Sequence, residues 1–217
     1  MRMTRRDVLR LMVAAPLAAG CAPRCRDESL FTFNLSLATF SLRAFSLERA
    51  LQEIQALGLK TAEINPVHLP IDSDSSPLKL FEKYGVAPFG LGVFYTERFP
   101  QDRRAAIEKV FRLATTFGMR IISCDPEPDW LSLMEEHSVR TGVRLGIHNH
   151  GPKSRYSTVD TLQAALQGRH ENVGVTLDVG HTMRSGENPA QVLRTLGRRV
   201  HGFHLKDVRE GRAVIVG

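Results

Sequence analysis

The sequence predicts an α/β fold, a (β/α)8 barrel that lacks its last strand-helix unit and has seven parallel strands present. Three observations carry this. Seven strand-like stretches, near residues 35, 61, 88, 121, 145, 173 and 200, alternate with helical stretches, and each of the first six is followed by a helix. Such regular alternation argues for a parallel sheet wrapped by helices. The late strands Gly146-Ile147-His148-Asn149-His150, Gly174-Val175-Thr176-Leu177-Asp178 and Gly202-Phe203-His204-Leu205-Lys206 share a second property. Each alternates with period two, and its polar face starts at glycine and ends in an ionisable group, as suits a barrel that is narrow inside and chemically armed at its C-terminal rim. A doubly wound open sheet is the alternative, but the glycine-rich phosphate fingerprint that would follow its first strand is missing after Leu35–Phe40.

In chain order, residues 1–21 read as an export signal. Thr4-Arg5-Arg6-Asp7-Val8-Leu9-Arg10 is a twin-arginine pattern, and the apolar run Leu11–Ala19 behind it is too short to span a bilayer. Leu17-Ala18-Ala19-Gly20-Cys21 resembles a lipoprotein cleavage box, which makes Cys21 the lipidation candidate. The expected product is periplasmic or membrane-anchored through that lipid. Residues 22–33 form a polar tether, and 34–217 the barrel. Cys25 and Cys124 do not suggest a disulfide framework.

The formal net charge is +6, of which Arg2, Arg5, Arg6 and Arg10 against Asp7 supply +3. The +3 left on the rest is too small to argue for a nucleic-acid partner. With 42% hydrophobic and 24% charged residues, the composition is that of an ordinary globular domain.

Leu35–Phe40 alternates as a first strand, and Ser46 caps a helix through Leu47, Ala50, Leu51, Ile54 and Leu57 that stops at Gly58. Thr61–Ile64 is the second strand, and a short helix from about Pro77 to Tyr84 leads to the third, Phe89–Phe94, with glycines at 90 and 92 on one face. Asp102 caps the clearest amphipathic helix, with Ile107, Val110, Phe111, Ala114 and Phe117 on one stripe and Gly118 at its end. That stripe is core. Arg120–Cys124 is the fourth strand, and a helix from about Asp129 to Thr141 bears Trp130. His137 on it and His170 in a turn are expected to be solvated. Ser157 with Asp160 starts a helix through Leu162, Ala165 and Leu166, and Asn188-Pro189 starts one through Val192, Leu193 and Leu196.

Imidazole, carboxylate and imidazole at the ends of neighbouring strands, His148, Asp178 and His204, are ligand types for a divalent metal. A buried polar network is the other reading. Glu63 and His68, in and after the second strand, read on the residues alone equally well as pocket groups or as solvated loop residues.

His148-Asn149-His150-Gly151, Leu177-Asp178-Val179-Gly180-His181 and His204-Leu205-Lys206-Asp207 resemble the sugar phosphate isomerase/epimerase family, with its xylose-isomerase-like TIM barrel. The likeness runs from about Asn34 to the last residue. It implies a small-molecule sugar substrate and one divalent ion (Mn, Co, Zn, Fe or Mg) at the barrel mouth. A base removes the proton beside a carbonyl, and the ion steadies the resulting negative charge. The resemblance makes Asp178 and His204 ligands and puts His148 where relatives often carry glutamate. It makes His181 a substrate contact and base candidate, lets Lys206 steady developing charge, and places Glu63 and His68 in the sugar pocket. His150 is a substrate contact and reserve ligand. The glutamate that relatives carry on strand eight has no counterpart, so the base stays open among Glu63, His150 and His181. Three classes follow: an isomerase or epimerase, a related keto-sugar or keto-inositol dehydratase, and a non-catalytic carbohydrate-binding lipoprotein. Seven strands also leave edges near Leu35 and Phe203 on which another chain can pair, so an oligomer is possible.

Overall fold

The computed structural model describes residues 34–99, 101–209 and 212–214; Arg5, Arg6, Cys21, Cys25 and the tether lie outside them. Residues Asn34–Gly217 make one compact unit. Seven strands form one sheet in chain order: β1 (Ser36–Ala38), β2 (Thr61–Ile64), β3 (Ala87–Tyr95), β4 (Ile121–Asp125), β5 (Arg144–His148), β6 (Val173–Asp178) and β7 (Val200–His204). Each pairs in parallel with the next. Between them run α1 (Leu47–Ala56), α2 (Leu78–Tyr84), α3 (Arg103–Thr116), α4 (Leu131–Thr141), α5 (Val159–Leu166), α6 (Val179–Arg184) and α7 (Pro189–Leu196). Sequential order with a crossover helix in each connection is the barrel topology, and it brings every strand's C-terminal end to one rim. The sheet curls far enough for Glu63 of β2 to touch His204 of β7. Among the described residues β1 and β7 are its edges, and β8 (Asp207–Arg209) pairs antiparallel with β9 (Arg212–Val214) beyond β7.

The expected periodicities place the core. Leu145, Ile147, Val175 and Leu177 are at most 1% exposed and pack outward, beneath helices whose own stripe, Ile107, Val110, Phe111 and Ala114, is equally buried. Each such side chain contributes about 1.5–3 kcal/mol on leaving water. Helix starts follow their caps: the Ser46 hydroxyl accepts the Arg49 N–H at 3.2 Å, and Asp102 accepts that of Ala105 at 3.3 Å. On the inner face glycine is a steric requirement. A Cβ at Gly146 would collide with the Thr176 hydroxyl, and one at Gly92 with the Glu63 carboxylate.

Several elements differ from expectation. The first strand is only Ser36–Ala38, because Thr39 turns inward to accept the Asn65 N–H and the chain passes into a 3-10 turn, Thr39–Leu42. The cap of α5 is Thr158, one residue beyond Ser157, since Thr158 and Thr161 bond reciprocally. Strand seven stops at His204, so Leu205 is 53% exposed and does not pack under the helices. His137 is buried: its ring lies 5.4 Å from that of Phe111 and Arg140 donates to its Nδ1 at 2.8 Å. Burial holds its pKa below the ordinary value. His170 is exposed, as expected.

Candidate metal centre and active site

The parallel register assembles the site. Asp178 and His204 are direct partners in the β6–β7 ladder, and His148 pairs with Thr176 in β5–β6. Period two then turns His148, Asp178 and His204 to the inner face at the rim, where their ligand atoms all lie within 4.8 Å of one another. His148 Nε2 is 2.8 Å from His204 Nδ1 and 3.5 Å from Asp178 Oδ2. Around a tetrahedral ion with bonds of about 2.1 Å, ligand atoms stand about 3.4 Å apart, so the set fits a divalent cation with little movement. The donor chemistry fits as well. Asp178 Oδ1 is committed to the His181 N–H, at 2.9 Å, while Oδ2 is buried and outside any well-directed hydrogen bond. Lys206 Nζ stands 2.7 Å from Oδ2, an ion pair made by proximity.

Asp178 owes its orientation to its neighbours. It caps α6, which follows β6 without a loop, and Asn149 bonds its backbone N–H at 2.7 Å and its carbonyl at 3.2 Å. The same helix brings His181 to the rim, with Nε2 4.0 Å from Asp178 Oδ2.

Glu63 completes the cluster from the opposite side. Its Oε2 lies 2.8 Å from His204 Nε2, and Ser123 donates to Oε1 at 2.6 Å. Ser123 in turn meets the Thr176 hydroxyl at 2.9 Å, so a polar floor runs under the site from β6 through β4 to β2.

Charge is divided sharply. Burial works against ionising Asp178, but His148, Lys206 and the His181 N–H outweigh it and hold the carboxyl well below its usual range. Burial likewise opposes charge on Glu63 and His204, and their mutual attraction wins, lowering the acid and raising the base. His148 and His181 go the other way. Burial, with His204 and His150 as like charges, brings His148 down to about 4. Burial also brings His181 to about 4, Lys206 adding to it against the opposing pull of Asp178. Two neutral imidazoles, His148 and His181, therefore share one rim with two carboxylates, Asp178 and Glu63, at neutral pH.

The structure thus brings together Glu63, His148, Asp178, His181, His204 and Lys206. His150 borders them, its ring 4.5 Å from that of His148 and 5.2 Å from that of His181. His68 takes a different position by its contacts: Nε2 bonds the Phe45 carbonyl at 3.0 Å, and Nδ1 is buried without a partner. Ser123, Asp125 and Tyr95 were not singled out by sequence. Tyr95 and Asp125 end β3 and β4, and the rule that singled out His148 and Asp178, an ionisable group closing a strand, points to them also.

Comparisons with known proteins agree with this fold. A family profile described as xylose isomerase-like TIM barrel matches residues 40–215. An inosose dehydratase from Clostridium botulinum is 32% identical over 69 residues, 31% of this chain and 23% of that protein, so the match spans about a quarter of its relative. A probable 3-DHS dehydratase from Bacillus anthracis superposes with a TM-score of 0.68 at 16% identity, over 82% of this chain and 75% of that one. A 3-keto-D-glucoside 4-epimerase from E. coli gives 0.63 at 14% identity, over 81% and 80%. At such identities the structural likeness establishes the fold, and the profile, spanning most of the sequence, establishes kinship: the chain belongs to the xylose isomerase-like TIM barrel family.

Proposed function

We propose that this protein is a metal-dependent isomerase or epimerase that abstracts the proton next to a carbonyl of a sugar or sugar derivative. The supporting observation is the convergence of His148, Asp178 and His204 at the barrel mouth, with Glu63 in contact with His204. A bound divalent cation supplies Lewis-acid stabilisation to negative charge on a substrate oxygen. Mn, Co, Zn, Fe and Mg are the candidates; imidazole donors disfavour Ca.

The chain's own groups supply the proton chemistry. Glu63 is ionised, fixed by Ser123 and His204, and so is competent as a base. His181 is neutral and at the rim, with a lone pair to receive a proton on the opposite side. Lys206 carries positive charge to the place where an oxyanion develops, and His150 borders that place through its ring contacts with His148 and His181.

The similarity to an inosose dehydratase favours a second reading, in which the same enolisation is followed by loss of water. One experiment addresses both. The protein is incubated in D2O with a keto-sugar panel that includes inosose and D-tagatose, with and without chelator. Chelator-sensitive deuterium uptake beside the carbonyl is the expected result; its absence across the panel sinks the proposal. A product that has lost a hydroxyl selects the dehydratase. The proposal includes export by the twin-arginine route with Cys21 lipidated, which unchanged export of an Arg5→Lys, Arg6→Lys variant would refute.

A further inference from the structure

Next to the His148, Asp178 and His204 cluster, at the ends of β3, β4 and β5, lies a second set of polar side chains. Tyr95 closes β3, Asp125 closes β4, and the two are direct partners in that ladder. His150, two residues beyond β5, reaches both. Its Nε2 lies 3.2 Å from the Tyr95 hydroxyl and its Nδ1 3.2 Å from Asp125 Oδ2. The second contact is an ion-pair approach and not a linear bond, since Nδ1 and Asp125 Oδ1 are buried without directed hydrogen bonds. The surroundings fix both ends. Arg155 stands 3.7 Å from Asp125 Oδ1 and donates to the Pro126 carbonyl at 3.1 Å, while the Arg98 guanidinium lies 4.5 Å from the Tyr95 ring centre.

In the neutral imidazole, a carboxylate 3.2 Å from Nδ1 favours the tautomer protonated there, which leaves Nε2 as an acceptor. The Tyr95 O–H then donates to Nε2, and its oxygen retains lone pairs for a donor arriving at the rim. Burial, and after it the Asp125 charge, raise the Tyr95 pKa, so the phenol keeps its proton.

We propose that Tyr95 is a specificity-determining residue that binds a hydroxyl of a polyol substrate through its phenol oxygen, and that Asp125 is the positioning residue that fixes the His150 tautomer and so aims Tyr95. The substrate class rests on the proposed function; the tautomer does not. With its proton already given to His150, the Tyr95 oxygen offers the substrate only an acceptor, so it favours ligands that bring a hydroxyl donor to the rim over ligands that lack one.

The test has two arms, run on the full chain as isolated. Nitrogen-15 NMR of the histidine side chains, recorded at a pH where the imidazoles are deprotonated to their neutral form, should show the neutral His150 ring carrying its proton on Nδ1. It should become a mixture in Asp125→Asn and recover in Asp125→Glu, a pattern that loss of packing alone does not produce. In steady-state kinetics with inosose and D-tagatose, Tyr95→Phe should raise KM at least tenfold and change kcat less than threefold. A wild-type His150 protonated at Nε2 overturns the proposal, as does an unchanged KM in Tyr95→Phe. No turnover of either probe would sink the enolising reading and the substrate role of Tyr95 with it, while the His150 tautomer would still decide whether Asp125 is its positioning residue.

Discussion

Glu63 Oε2 lies 2.8 Å from His204 Nε2, so a carboxylate on β2 and an imidazole on β7 meet across the barrel although 141 residues separate them. This contact spans the curl of the sheet and holds the charged state of both groups. Replacing Glu63 by Gln keeps the volume and the Ser123 contact but removes the charge. Turnover on a keto-sugar that the wild type accepts should fall by about 10²–10⁴, the usual contribution of a positioned base. Stability should fall by only about 1–3 kcal/mol, the cost of weakening one half-buried hydrogen bond. Activity within threefold of wild type, measured beside a denaturation curve, would remove Glu63 from the chemistry.

Asp178 has two separable duties. Oδ1 caps α6 and Oδ2 faces the two imidazoles. Asp178→Asn retains an oxygen for the His181 N–H, so the helix start should hold to within a few tenths of a kcal/mol, cap asparagine and aspartate being nearly equivalent. The charge that attracts a cation is lost. Elemental analysis of protein purified without chelator should show metal in the wild type and little in the variant. Full retention would mean that the ion, if bound, sits elsewhere.

His204 sets how metal affinity responds to pH. Its pairing with Glu63 outweighs burial and raises its pKa above the ordinary value, so it holds more firmly than an ordinary histidine the proton that a metal must displace. His148, at about 4, is already neutral near neutrality and adds no such dependence. Affinity should therefore climb as pH rises through and somewhat above the ordinary histidine range, and level off once His204 is neutral. Zinc titrations by calorimetry, in two buffers of different ionisation enthalpy, read the released protons directly. Equal proton release at about pH 6 and about pH 8.5 would contradict the assignment.

Much of the site was legible because it depends on short-range rules. Period two and a shared rim are enough to bring His148, Asp178 and His204 together once the strands are known to be parallel. Helix caps at Ser46, Asp102 and Asn188 followed from local chemistry in the same way. What was not legible is set at long range. The burial of His137 depends on Phe111 from another helix, and the early end of β1 depends on Asn65, 26 residues from Thr39. The contact from Glu63 to His204 needs the curvature of the whole sheet, which no local pattern encodes. Asp125 and Tyr95 are a different case: their positions were readable, but nothing in their own segments showed that one imidazole joins them.

Gly146 tests whether the narrow interior is a requirement or an accident of composition. A Cβ there would collide with the Thr176 hydroxyl and stand 3.1 Å from both the Thr176 Cβ and its backbone N, contacts that real Cβ atoms rarely make. The Thr176 hydroxyl cannot simply rotate away, since it is held by Ser123 at 2.9 Å in the polar floor beneath Glu63. Gly146→Ala should therefore cost about 1–3 kcal/mol, the usual range for overpacking a close-packed interior. For a domain of this size each kcal/mol lowers Tm by about 2–4 °C. Thr176→Ala removes the obstructing hydroxyl, so the double variant should be more stable than the sum of the single costs implies, with a coupling of about 1 kcal/mol or more. Denaturant unfolding of the four proteins measures that coupling. Strict additivity would mean that the β5 backbone gives way elsewhere, and that glycine at the start of this inner face is not what makes room for the floor of the site.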